Sequence, residues 1–258
     1  MTAIAPLLRL RAQDIFRTWR VWVLPSVMVF LAATGTVITR FTREILVAAL
    51  GAGQADAILL ADPVASDAYA RWANDLTQIA VLLVVVIAAG AINSEVRSGV
   101  AALILTKPAS RVSYVLSHAF TLIAFTALAA HLGAVVSWLV TAAVFGPAPL
   151  GPVLAATAVW AVLAAVLISA ALLASAAFDA YAGAAGAGIG AFFLLALLSV
   201  VPQLAEHTPA GLATVVNAIA TGTQKADQTL WQPVLSGLAL AGALLAAAVL
   251  VFRRRELR

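Results

Sequence analysis

The chain has 258 residues, of which 64% are hydrophobic and only 10% charged, with a formal net charge of +4 at pH 7. Soluble domains average about 45–50% apolar and about 25% charged residues, and the mean hydropathy of +1.05 lies on the apolar side of that average. A water-soluble globule, a disordered chain and a fibrous repeat are excluded, because a domain of this length has too little interior to hide so much apolar surface. The chain has no cysteine, which removes disulfides, zinc–thiolate sites and iron–sulfur clusters.

Residues 6–20 read as an amphipathic helix. Leu8, Ala12, Ile15, Phe16 and Trp19 share one face, and Arg9, Gln13, Arg17 and Arg20 share another. Such a helix lies in the headgroup layer with its arginines on lipid phosphates. It serves as a topology anchor or as a connector that carries movement into the first span.

About 20 apolar residues cross a hydrocarbon layer of about 30 Å. Six stretches qualify: 21–39, 78–93, 119–144, 153–177, 181–201 and 233–252. Their runs are continuous, without period-two alternation, so they are helices and not barrel strands. The first is too long for the apolar core of a signal peptide and follows four arginines, so it reads as a span. The second is short, and the Asp67–Asp75 stretch with Tyr69 and Trp72 is expected to begin a helix that runs into it. Residues 40–77 and 202–232 form the long loops, the first with a short helix over Glu44–Leu50. Trp22 and Trp231 suit interfacial belts.

The basic residues orient the bundle. With the N-terminus inside, Arg9, Arg11, Arg17, Arg20, Arg97, Lys107, Arg111, Arg253, Arg254, Arg255 and Arg258 are cytoplasmic, and only Arg40, Arg43, Arg71 and Lys225 are outside. The acids Glu44, Asp56, Asp62, Asp67, Asp75, Glu206 and Asp227 then lie outside. Both termini are cytoplasmic, and the pI near 10.1 reflects topology and anionic lipid rather than nucleic acid.

Between spans two and three, residues 94–106 read as a short helix with Val96, Val100, Leu103 and Ile104 on its apolar side. Pro108 disfavours helix at Lys107, and Ser110 is placed to cap the next helix. The result is a stiff elbow. Glu95-x-x-x-Gly99 followed by Leu105-x-x-Pro108-x-Ser110-Arg111, placed after a second span, resembles the permease family of type-2 ABC transporters. A basic residue often follows in that family near the start of the third span, where this chain has His118.

That resemblance covers essentially the whole chain. It implies a single transmembrane permease domain over residues 1–258, an all-α integral membrane protein of six helices with an amphipathic leader and a cytoplasmic coupling elbow. It further implies pairing with a second copy or a related permease, and docking of a separate ABC ATPase on Glu95, Arg97, Gly99, Leu105, Pro108, Ser110 and Arg111. An exporter in a bacterial inner membrane is expected, with ATP and magnesium on the partner ATPase and no cofactor on this chain. A non-transporting scaffold or sensor whose elbow binds another cytoplasmic protein is the alternative.

Catalysis on this chain is not expected. A Walker A loop needs Gly-Lys-[Ser/Thr], and the only lysines, Lys107 and Lys225, follow Thr106 and Gln224. No Gly-x-Ser-x-Gly, His-Glu-x-x-His or pair of acids on a span is present. His118 and His131 lie about 20 Å apart along one helix and form no joint site. His131 is expected to be a satisfied histidine between helices. Asp179 reads as a turn or cap residue and a second cytoplasmic contact. Gly186 and Gly190 form Gly-x-x-x-Gly, read as close helix packing within the subunit, with a dimer seam as the alternative. Thr126, Ser137, Thr157, Ser169, Ser175 and Ser199 are interhelical hydrogen-bond partners or a sparse path lining.

Overall fold

The computed structural model describes residues 4–50, 62–107, 109–223 and 230–255. Asp56, Pro108, Lys225, Asp227 and Arg258 lie outside the described residues, as does the side chain of Arg20. The described residues are helical throughout, joined by turns.

In chain order the helices are α1 (Ile4–Arg17), α2 (Arg20–Arg40), α3 (Thr42–Leu50) and α4 (Ala65–Asp75). A wide π turn, Leu76–Ala80, carries α4 without a break into α5 (Val81–Ala89). Then come α6 (Asn93–Arg97), α7 (Val100–Leu105), α8 (Arg111–Phe145), α9 (Leu150–Ala177) and α10 (Tyr181–Leu198). The chain ends with α11 (Pro202–His207), a 3-10 turn (Pro209–Gly211), α12 (Leu212–Thr221) and α13 (Trp231–Arg254). Six helical segments are long and apolar enough to cross a membrane: Val21–Arg40, Ala65–Arg97, Arg111–Phe145, Leu150–Ala177, Tyr181–Leu198 and Trp231–Arg254. The described residues are all-helical and hold six candidate spans, as in a multi-pass membrane protein.

The second span does begin upstream, at Ala65. Tyr69 and Trp72 are fully buried there, and each satisfies its polar end, since a bare donor in a dry interior costs several kcal/mol (about 1–3 by mutation). The Tyr69 hydroxyl donates to the Pro149 carbonyl (2.9 Å), and Trp72 Nε1 donates to Thr157 Oγ1 (3.1 Å). Trp160 Nε1 returns the contact to the Leu76 carbonyl (2.9 Å) in the π turn. The long α8 has 35 residues, about 52 Å at 1.5 Å each, so it outruns the hydrocarbon layer.

Helix α9 is the axis of the bundle. It is apolar on every side, as a helix surrounded by others must be, and buries Trp160, Leu163, Leu167, Ile168 and Leu172. Glycines set close approaches, Gly133 and Gly188 among them. A Cβ on Gly133 would lie 2.5 Å from the Trp72 ring, and one on Gly188 would lie 2.7 Å from Val85 Cγ1. Residues 202–223, expected as loop, fold into α11, the 3-10 turn and α12. Helix α12 buries Leu212, Val215 and Val216 against α9 at the end of the bundle opposite α6 and α7. Helix α10 is peripheral, with only Ala184 and Gly188 buried.

Candidate functional site: the elbow and its carboxylate

The elbow opens where α5 stops. Ser175 Oγ, near the end of α9, accepts the N–H groups of Ile92 (3.1 Å) and Asn93 (3.0 Å). Those are donors at the start of a helix that have no partner inside it, so α6 begins against α9. The segment expected as one helix over 94–106 is two. Gly99 has φ +76, a left-handed conformation that ends α6 and that side chains other than glycine adopt at a cost. The turn rotates α7. Ala101 is buried and Val96, Ile104 and Leu105 pack against the core, whereas Val100 and Leu103, expected inward, are exposed, Leu103 by 68%. The turn before α8 is closed as expected: Ser110 Oγ accepts the Ser113 N–H at 3.0 Å.

Glu95 points inward from α6 and gathers groups from two other helices, with a third reached through Tyr114. Its carboxylate accepts both terminal nitrogens of Arg11 on α1, Nη2 to Oε2 at 2.8 Å, with Nη1 on Oε1. The Tyr114 hydroxyl on α8 donates to Oε2 at 2.6 Å. His118, one turn further along α8, places Nε2 3.5 Å from the same oxygen. The Arg11 guanidinium also lies 5.1 Å over the Tyr114 ring, a cation–π geometry. Beneath it Tyr114 stacks on Phe252 of α13, 5.0 Å between centroids and 10° between planes. Arg11 is only 4% exposed. A two-pronged arginine–carboxylate pair is geometrically specific, and its burial makes each partner depend on the other.

A second set of contacts binds the same end. One nitrogen of Arg111 donates to the carbonyls of Phe252 (3.1 Å), Arg253 (2.8 Å) and Arg255 (2.9 Å). The last carbonyls of a helix lack partners within it and carry its negative dipole end, so Arg111 caps α13. Arg255 in turn donates to the Ser175 and Ala176 carbonyls (3.0 and 2.9 Å) at the end of α9, and to Asp179 Oδ1 (2.5 Å). The elbow, α13 and α9 therefore close a ring through backbone carbonyls.

Residues 62–257 match the family described as Protein of unknown function (DUF2705). The chain belongs to that family. No curated protein matches it.

In this DUF2705 chain the matched region takes in Glu95, Tyr114, His118, Arg111 and Arg255, while Arg11 on α1 lies before it. Of the residues singled out in the sequence, the structure brings Glu95, Ser110 and Arg111 into the elbow's internal framework, with Gly99 at its turn and Leu105 against the core. Arg97 is exposed at the surface. Asp179 is held by Arg255, yet its carboxylate is 93% exposed. Gly186 and Gly190 do not make the close packing expected of them within the subunit, because among the described residues nothing lies within 4 Å of a Cβ at either; Gly188, two residues past Gly186, makes it. His131 Nδ1 bonds the Ala127 carbonyl of its own helix (2.8 Å) and, among the described residues, does not bridge to another helix. Thr157 and Ser175 do link helices, whereas Ser169 and Ser199 bond their own helix backbones.

Arg11, Tyr114, His118, Phe252 and Arg255 were not legible as one group. One signal was present: Arg11 falls between Leu7 and Ile15 at four-residue spacing, on the stripe that α1 buries. Asp75, at the end of the stretch expected to lead into span two, is also buried. It pairs with Arg71 (3.1 Å) and lies 2.8 Å from where a Cβ on Gly35 would be. Among the described residues no three His, Cys, Asp or Glu side chains come together as a metal-ligand set.

Proposed function

We propose that this DUF2705 chain is the membrane-spanning permease subunit of an ATP-binding-cassette exporter, paired with a second copy or a related permease and driven by a separate ATPase. The observation that carries the reading is the Glu95 cluster. A loop that merely connects two spans has no need of a largely buried carboxylate tied to two other helices and, through Tyr114, to a third. A lever does, because push on an exposed surface must reach the spans without being lost in a soft joint. The exposed side of the elbow, with Arg97, Val100, Leu103 and Lys107, is the surface offered to the ATPase. Arg11 passes the displacement to α1 and span one, Tyr114 to span three, and Phe252 with Arg111 to span six.

In this reading α1 lies along the inner leaflet, where its exposed Arg9 and Arg17 meet lipid phosphates and exposed Phe16 and Trp19 enter the headgroup boundary. ATP and magnesium belong to the partner, and this chain performs no covalent step. The basic residues near the elbow favour the cytoplasmic side of a bacterial inner membrane.

The experiment is affinity purification of the chain expressed with its neighbouring genes. A co-purifying Walker A protein is the expected result, with ATPase activity that Arg111→Glu uncouples from transport. A stable complex with a soluble protein that binds no nucleotide would replace this reading with the scaffold one. Orientation is tested on the naturally cysteine-free chain: Leu103→Cys should react with a permeant maleimide and not with an impermeant one added to intact cells.

A further inference from the structure

At the end of the bundle away from the elbow, a cavity of about 420 Å³ opens between α4, α9, α10 and α12. Its polar lining is Asn74, Thr77, Gln78, Ser199, Thr214 and Asn217, and none of the described residues lining it is charged. Asn74 and Gln78 are one turn apart, so they share a face. Gln78 lies within the π turn itself, and such turns recur at functional sites. The neighbouring Asp75 points away, toward Gly35 and Arg71, so the one buried acid nearby is kept out of the cavity. Leu163, halfway along α9, and Phe192 of α10 carry the apolar part of the lining.

The lining groups are oriented. The Thr77 hydroxyl donates to the Ala73 carbonyl (2.9 Å), the Ser199 hydroxyl to Ala196 (2.7 Å), and Asn217 Nδ2 to Ala213 (3.1 Å). Each thereby keeps an oxygen as an acceptor. The amides of Asn74 and Gln78 are exposed and make no hydrogen bond among the described residues, which leaves both donors and acceptors. Gln78 belongs to the second span, and an unmet amide facing hydrocarbon costs several kcal/mol, about 4–8 in a fully apolar medium. Lipid tails therefore do not suit this surface. A few polar groups converging in a largely apolar hollow are the ordinary anatomy of a small-molecule site.

We propose that this cavity binds an uncharged amphipathic molecule, its hydroxyl or amide groups on Asn74, Gln78 and Asn217 and its apolar part against Leu163 and Phe192. A charged headgroup finds no counter-charge here and would lose its hydration unrepaid. Binding stands without an ATPase. That the bound molecule is cargo rests on the transport reading.

The test uses the absence of cysteine in the full chain. Gln78→Cys and Thr214→Cys are reconstituted in phosphatidylcholine vesicles with Leu238→Cys, on the lipid-exposed side of α13, as control. A membrane-impermeant maleimide should modify the first two and spare the third. Sub-micellar octyl glucoside, a neutral amphiphile, should slow Gln78→Cys modification at least about fivefold, about 1 kcal/mol of competition, and octyl sulfate should leave it unchanged. No modification of Gln78→Cys while Thr214→Cys reacts means lipid fills the hollow and overturns the proposal. Disulfide-linked dimers through Gln78→Cys assign the face to a second copy and also overturn it. Equal protection by octyl sulfate overturns the ligand class. None of these readouts needs an ATPase, so failure here leaves the transport reading intact, and loss of the ATPase partner leaves this one intact.

Discussion

Glu95 shows how much one carboxylate fixes when its partners cover most of it. Removing one member of a buried ion pair typically costs about 3–5 kcal/mol, whereas replacing both with apolar groups of similar volume is close to neutral. Glu95→Ala is therefore expected to lower the midpoint of thermal unfolding in detergent more than the double change Arg11→Met with Glu95→Leu. If the double variant is the weaker of the two, the pair is not the joint described here. In the transport reading both variants lose coupling, because stability returns with the apolar replacement and the directional contact does not. Glycines separate in the same way. Gly188→Ala drives a methyl into Val85 and should cost about 1–3 kcal/mol, while Gly186→Ala meets nothing within 4 Å and gains helix propensity of up to about 1 kcal/mol. Gly99→Ala has open space too, yet its left-handed backbone costs about 1–2 kcal/mol.

At the scale of elements, α13 is the most exposed to test, since its final turn is held from outside. Arg111→Ala withdraws a donor from three carbonyls at once. Hydrogen exchange over residues 250–255 should accelerate, with α10 unchanged; uniform acceleration across the bundle would mean that Arg111 stabilises the whole fold and not this end. The existence of the spans, unlike that of the short helices α11 and α12, was legible because a span is a matter of length and apolarity, and Ser110 announced the start of α8 by its residue type. Element breaks were less so. The turn at Gly99 was hidden within a run that reads as helix, because glycine in a helical pattern signals only a local cost until its backbone angle is known. The π turn has no sequence signature at all, since the Trp160 contact that supports it comes from another helix 84 residues away.

On the scale of the molecule, two ends of one bundle are built differently. One is tied by charge and by arginines on helix ends; the other holds an open, neutral hollow behind α12. Hydropathy along the chain determined by itself the six apolar helices of the described residues and roughly where each lies. Solvation in lipid acts residue by residue, so it can be summed along the chain. Which arginine enters the core, which glycine packs and which amides line a cavity were decided only by the tertiary structure. Those outcomes depend on groups far apart in sequence meeting at distances of a few ångströms, and a buried charge or amide acquires its role from the partner that it meets.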